Sequence, residues 1–171
     1  MRTVIAFDPS YNDTGYAVIR QQKLIAYGVI KVVGPTDSCR FTSLMSRVEE
    51  LIQQYAPSKG VVEKPPPFPY RRATKKLPSF SPDPSAKEEG KPLNLADILK
   101  NNAATTVIIT TLGRYNVAVE EVLAHLWKKC YGKNFGKTEM VSLARSVYPA
   151  LKNVKLSHHE AEAICMAALY F

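Results

Sequence analysis

The chain is short of cysteine, of long apolar runs, of glycine-rich phosphate loops and of negative charge, and each shortage removes a class of function. Its three cysteines, Cys39, Cys130 and Cys165, have neither pairing nor zinc-ligand spacing. They read as reduced thiols of an intracellular protein. No apolar run approaches the ~20 residues that a membrane-spanning helix needs. The N-terminus runs straight into a strand pattern without a leader-like segment, so the expected location is cytoplasmic, away from membranes. Neither a Gly-x-Gly-x-x-Gly fingerprint nor a P-loop occurs, which leaves little support for the cofactor chemistry those motifs serve. No linker or repeat divides the 171 residues, and one domain spanning 1–171 is expected. Acidic residues number 15 against 23 basic ones, giving a formal charge of +8. That excess favours a polyanionic partner, since each Lys or Arg meeting a phosphate releases a counterion. It equally suits a basic surface that serves only solubility, and charge alone does not separate the two.

What is present begins with residues 4–19. Four apolar residues lead to Asp8, which stands just before Pro9, and Gly15 opens a second apolar run. Residues 2–8, 15–20 and 23–33 read as an antiparallel three-stranded meander. A helix is predicted from a cap at Asp37 or Ser38 to about Tyr55, because Leu44, Val48, Leu51, Ile52 and Tyr55 recur at three- and four-residue steps. The run Gly60-Val61-Val62-Glu63 predicts a buried strand that Pro65-Pro66-Pro67 prevents from continuing. Helices follow at about 94–114, 120–131, 138–148 and 157–170, with a short strand at 117–119. The pattern predicts an α/β fold with a five-stranded mixed sheet, three antiparallel strands then two parallel ones, and helices on both faces. Between them, residues 65–92 hold most of the chain's prolines and the basic group Arg71, Arg72, Lys75 and Lys76. A loop of that length is expected to be functional or mobile.

Chemistry enters through carboxylates. A carboxylate ending a buried strand has lost hydration and needs a cation or a proton. Asp8 and Glu63 each end such a strand, and they converge at one sheet edge if the first and fourth strands are neighbours. On the last helix, His159 lies three residues and His158 four residues before Glu162, so either shares a face with it. Ser157 and Glu160 form a capping box, which assigns Glu160 to the helix start. Taken singly, each acid is as well explained as a polar residue leaving the core. Together, Asp8, Glu63 and Glu162 offer hard oxygen ligands that favour Mg²⁺, with Mn²⁺ as substitute, over zinc. Two such ions can activate water and stabilise a leaving oxygen in phosphodiester cleavage.

Phe7-Asp8-Pro9 leading to Thr14-Gly15-Tyr16, Val62-Glu63, and His159-x-x-Glu162-Ala163 together resemble the RuvC-type Holliday junction resolvases of the ribonuclease H-like nuclease superfamily. The resemblance runs from end to end. It implies that the metal-binding and catalytic roles fall on Asp8, Glu63, His159 and Glu162. It also implies a homodimer that resolves a four-way DNA junction by paired symmetric nicks, since one site per subunit about a twofold matches two symmetric cuts. Lys128, Lys129, Lys133 and Lys137 would then join the 71–76 stretch along the DNA arms. The family's base-stacking aromatic would fall on Phe68, with Tyr70 behind it. Departures from the pattern are Ser10 in place of a glycine, Glu162 in place of an aspartate, and the triple proline after the strand glutamate. Three other readings compete: a ribonuclease H-like nuclease cutting flaps or hybrids, a kinase-like phosphate-binding domain, and a non-catalytic DNA-binding module. The second needs a duplicated domain that 171 residues do not hold.

Overall fold

The computed structural model describes residues 2–65, 95–132 and 135–171. β1 (Thr3–Asp8), β2 (Asp13–Arg20) and β3 (Lys23–Lys31) form the expected meander. Gln21 and Gln22 join the last two with φ of 51° and 62°, the left-handed pair whose twist suits a tight hairpin. α1 (Asp37–Tyr55) follows. Its cap is Thr36, whose side chain accepts the Cys39 N–H, one or two residues earlier than the expected Asp37 or Ser38. β4 (Lys59–Lys64) lies parallel to β1, α2 (Leu95–Arg114) crosses over, and β5 (Ala118–Leu123) lies parallel to β4. The strand order β3-β2-β1-β4-β5 is the mixed five-stranded sheet read from the sequence.

One element differs. Residues 120–123 continue β5 instead of starting a helix, and the helix there is the shorter α3 (Ala124–Lys129). Glutamates favour helix locally, but parallel pairing with β4 sets Glu120 and Glu121 beside Lys59 and Lys64, with ion pairs of 2.5 and 2.8 Å. Tertiary pairing overrides the local preference. The chain then forms α4 (Lys137–Val147), a 3₁₀ turn (Pro149–Leu151) and α5 (His158–Tyr170).

Strand alternation decides which way the acids face. Val4, Ala6, Ala17, Ile19 and Val61 pack on one side of the sheet with Ala161, Ala163 and Ile164 of α5 and Met140 of α4. Ile5, Phe7, Val18 and Val62 pack on the other side with Leu44 and Val48 of α1 and Ile108 and Leu112 of α2. Side chains alternate with period two, so Asp8 continues the Val4–Ala6 series and Glu63 continues from Val61. Both point toward α5. Each fully buried aliphatic side chain contributes about 1.5–3 kcal/mol. A one-residue slip would therefore lose both cores at once, and the register that aims the acids is strongly held.

Candidate metal centre

Asp8 ends β1 and is 5% exposed. Phe7 pairs with Val62, so Asp8 and Glu63 are the next residues on adjacent parallel strands. α5 supplies the third acid. Its first turn is fixed by the capping box, in which Ser157 Oγ accepts the Glu160 N–H at 3.2 Å and Glu160 Oε2 accepts the Ser157 N–H at 2.7 Å. Glu160 is thereby committed to the cap, and Glu162 faces the strand ends. One carboxylate oxygen from each of Asp8, Glu63 and Glu162 lies within 4.8 Å of the others.

The β1–β2 turn is tied down from several directions. Thr14 Oγ1, fully buried, donates to the Ser10 carbonyl and accepts from the Ser10 N–H. Asn101 Oδ1 accepts the Tyr11 N–H at 2.9 Å, and Arg40 Nη2 donates to the Tyr11 carbonyl and to Asn12 Oδ1. Ser10 is absent from the left-handed residues. A serine therefore stands where the resembling family has glycine without backbone strain.

Four groups surround the acids. His159 Nδ1 lies 2.5 Å from Asp8 Oδ2. Lys128 Nζ donates to Glu162 Oε1 at 2.8 Å, both side chains largely buried. Trp127 Nε1 donates to Glu63 Oε2 at 2.8 Å. The ring of His158 lies against that of His159, centroids 3.8 Å apart, while His158 itself turns toward α4. Lys128 is the clear correction to the sequence reading: expected along DNA arms, it is inside the acidic cluster. Trp127 was not anticipated at all. It is the chain's one tryptophan, fully buried at the foot of the cluster. A lone tryptophan following a strand was its only signal. Lys129 and Lys137 are exposed, as a DNA-facing role requires. Phe68, Tyr70, Arg71, Arg72, Lys75, Lys76 and Lys133 lie outside the described residues, as do residues 66–92 of the 65–92 stretch.

The charges do not balance evenly. Glu162 has the Lys128 ammonium and Asp8 has His159, whereas among the described residues the direct partner of Glu63 is the neutral indole N–H. Burial, followed by the Asp8 and Glu162 charges, pushes the Glu63 carboxyl up to about 8. Burial also pushes Asp8 up, against the opposing pull of its bond to His159. That bond holds the His159 imidazole above its ordinary value, while burial, followed by His159, holds His158 below. A site of three hard oxygens, one of them bonded among the described residues only to a neutral donor, fits a divalent cation.

The direction of stability against pH follows. Without metal, the folded chain keeps a proton on Glu63 from pH 4.5, its ordinary value, up to about 8. The unfolded chain has released that proton, so the folded state binds more protons and stability falls as pH rises through this window. The slope for one proton is at most about 1.4 kcal/mol per pH unit. Mg²⁺ or Mn²⁺ should raise the thermal midpoint more at pH 8 than at pH 5.5, because at the lower pH it must displace the proton. Equal midpoint shifts at both pH values, in parallel melts with and without chelator, would count against a cation site at Glu63.

No protein-family model and no curated protein matches the chain by sequence. Solved structures do match. Thermus thermophilus RuvC in complex with a Holliday junction substrate superposes with a TM-score of 0.72 at 19% identity, covering 99% of this chain and 92% of that one. A second Thermus thermophilus RuvC structure gives 0.69 at 20% identity, with 98% and 92% covered. The yeast mitochondrial Holliday junction resolvase Ydc2 gives 0.59 at 8% identity, with 98% and 78% covered. The chain therefore has the ribonuclease H-like fold in its RuvC-type form, and the structural resemblance agrees with the one carried by the sequence motifs.

Proposed function

We propose that this RuvC-type chain is a metal-dependent endonuclease that resolves four-way DNA junctions, acting as a homodimer that makes two symmetric nicks. The observation that carries the reading is the convergence of Asp8, Glu63 and Glu162 within 4.8 Å at the strand ends of this fold. The likeness to resolvases, one of them in complex with a Holliday junction substrate, supports the choice of DNA. The net charge of +8 supports a polyanionic substrate independently.

Asp8, Glu63 and Glu162 would hold the cations, with His159 beside them; Mg²⁺ is the proposed ion and Mn²⁺ its substitute. Bound there, the ions supply an activated water and charge stabilisation for the leaving oxygen of the phosphodiester. The protein's own groups do the remainder. Trp127 fixes the Glu63 carboxylate through its indole N–H, and the β1–β4 pairing fixes the distance between Asp8 and Glu63. His159, held by Asp8, presents an imidazole at the edge of the cluster and can orient or exchange a proton there. Lys128 neutralises Glu162 and places a cation where a scissile phosphate would approach.

The test incubates the chain and Mg²⁺ with a synthetic four-way junction beside linear duplex of the same sequence. Paired nicks confined to the junction are expected. In chelator, junction binding should persist and weaken steeply with salt while cleavage stops, because phosphate contacts come from Lys and Arg. Equal cutting of junction and duplex, or a chain that is monomeric on DNA, would return the assignment to a general ribonuclease H-like nuclease. Loss of binding together with cleavage in chelator would overturn the proposed division of labour.

A further inference from the structure

Beside the acidic cluster, on the far side of the paired histidines, a cavity of about 300 Å³ opens between α4 and α5. Lys137, Thr138, Ser142, Arg145 and His158 line it. Thr138 stands three and four residues before Val141 and Ser142, and these stand four and three before Arg145, so a single face of α4 forms the wall. His158, the first residue of α5, closes the opposite side, and its ring rests on that of His159. No carboxylate is among the described residues lining the space. Glu139, the acid of this turn, is directed onto the Gly136 N–H at 2.9 Å.

Three cationic or protonatable side chains and two hydroxyls around one concavity make an anion site. Arg145 adds a specific observation. Its Nη2 donates to the Val154 carbonyl at 2.9 Å, while its Nε is buried without a hydrogen-bond partner. A buried donor left unpaired is costly, so an acceptor that reached it would be favoured. The first turn of α4, through Lys137 and Thr138, and the first residue of α5 both meet here. Resting on the nuclease reading above, we infer that this cavity is a second phosphate subsite, which holds a backbone phosphate of the cleaved strand next to the one at the acidic cluster. Such a contact would fix the strand's register over the metals without reading its sequence. Through the His158–His159 stack, it would also link strand seating to the imidazole that Asp8 holds.

Two arms test it. In the first, the metal-free chain is titrated with inorganic phosphate while the His158 ring and Ser142 amide resonances are followed. Saturable shifts at both are expected, weakened several-fold in Lys137→Gln and abolished in Ser142→Asp, with the remaining spectrum reporting that each variant is folded. In the second, four-way junctions carrying a single methylphosphonate at successive positions around the cut are bound in chelator. One position other than the scissile phosphate should weaken binding several-fold in the wild type and have little effect in Lys137→Gln. That variant should also lower the slope of log K against log salt by about 0.9. Absence of saturation, or shifts unchanged in both variants, overturns the site. Phosphate binding without any Lys137-dependent methylphosphonate position overturns its assignment to the DNA strand. A chain that cuts no junction with any metal fails the nuclease reading instead, and the phosphate arm still decides whether the cavity takes an anion.

Discussion

Glu63→Gln should lower junction cleavage by several orders of magnitude and at the same time make the metal-free protein more stable at pH 8. The two effects have one cause. Among the described residues, Glu63 is the acid of the cluster with no cation bonded to it, and its carboxyl is pushed up to about 8. A neutral amide keeps the shape and can still accept the Trp127 N–H, but it has no charge to desolvate and none with which to hold a cation. Asp8→Asn and Glu162→Gln should be as damaging to cleavage. Neither should stabilise: the first weakens the pairing with His159, and the second leaves the Lys128 ammonium without its partner. His159→Ala should cost nearly as much activity, His158→Ala much less, since only His159 touches Asp8. The fluorescence of the single tryptophan, bonded to Glu63, offers a readout free of catalysis. Mn²⁺ should quench it in the wild type and not in Glu63→Gln, while binding to junction DNA in chelator stays unchanged in all the carboxylate variants. Full cleavage by Glu63→Gln would remove the metal centre, leaving a DNA-binding module as the better description. A larger loss from His158→Ala than from His159→Ala would reverse the two histidine roles.

How much of this was readable from residues alone varies with the range of the interaction responsible. The meander, α1 and the α5 capping box depend on local pattern, and the structure has them within a residue or two of their expected bounds. The convergence of Asp8 and Glu63 needed one added assumption, that β1 and β4 are neighbours, and the sheet order satisfies it. Lys128 and residues 120–123 were misread for a shared reason. A lysine beside another lysine near a glycine turn looks like solvated charge. Only the placement of α3 against the sheet end turns Lys128 inward onto Glu162, 34 positions away. Likewise, the glutamates of β5 show their strand character only once β4 brings Lys59 and Lys64 within ion-pair reach. On α2, Leu95 and Leu99 fit the helical repeat but are 63% and 60% exposed, because a period fixes a face and not how far along the helix the core extends. Trp127 carried no motif, and its link to Glu63 spans 64 positions.

Gly15→Ala should cripple the protein although it adds one uncharged methyl group. Gly15 pairs with Asp8 across β1 and β2 and belongs to the Ala17–Ile19 series that faces α5. A Cβ built there would sit 2.2 Å from the His159 carbonyl oxygen and 2.4 Å from its carbonyl carbon. These are backbone atoms, so no rotamer change relieves the clash, and either α5 or the β1–β2 edge must move. Overpacking of this kind costs about 1–3 kcal/mol. The functional loss should be larger than that figure suggests, since the displaced turn carries His159 and leads directly to Glu162. A misplacement of about 1 Å in a positioned group can cost about 10²-fold in rate. Gly113 supplies the control: it lies in α2, and a Cβ there meets nothing within 4 Å. Gly113→Ala should be neutral or stabilise by about 0.5–1 kcal/mol through helix propensity. Thermal melts and junction cleavage of the two variants, made side by side, separate the cases. If Gly15→Ala melted and cut like Gly113→Ala, α5 would not approach β2 closely enough to hold Glu162 at the strand ends, and the geometry proposed for the metal centre would have to be abandoned.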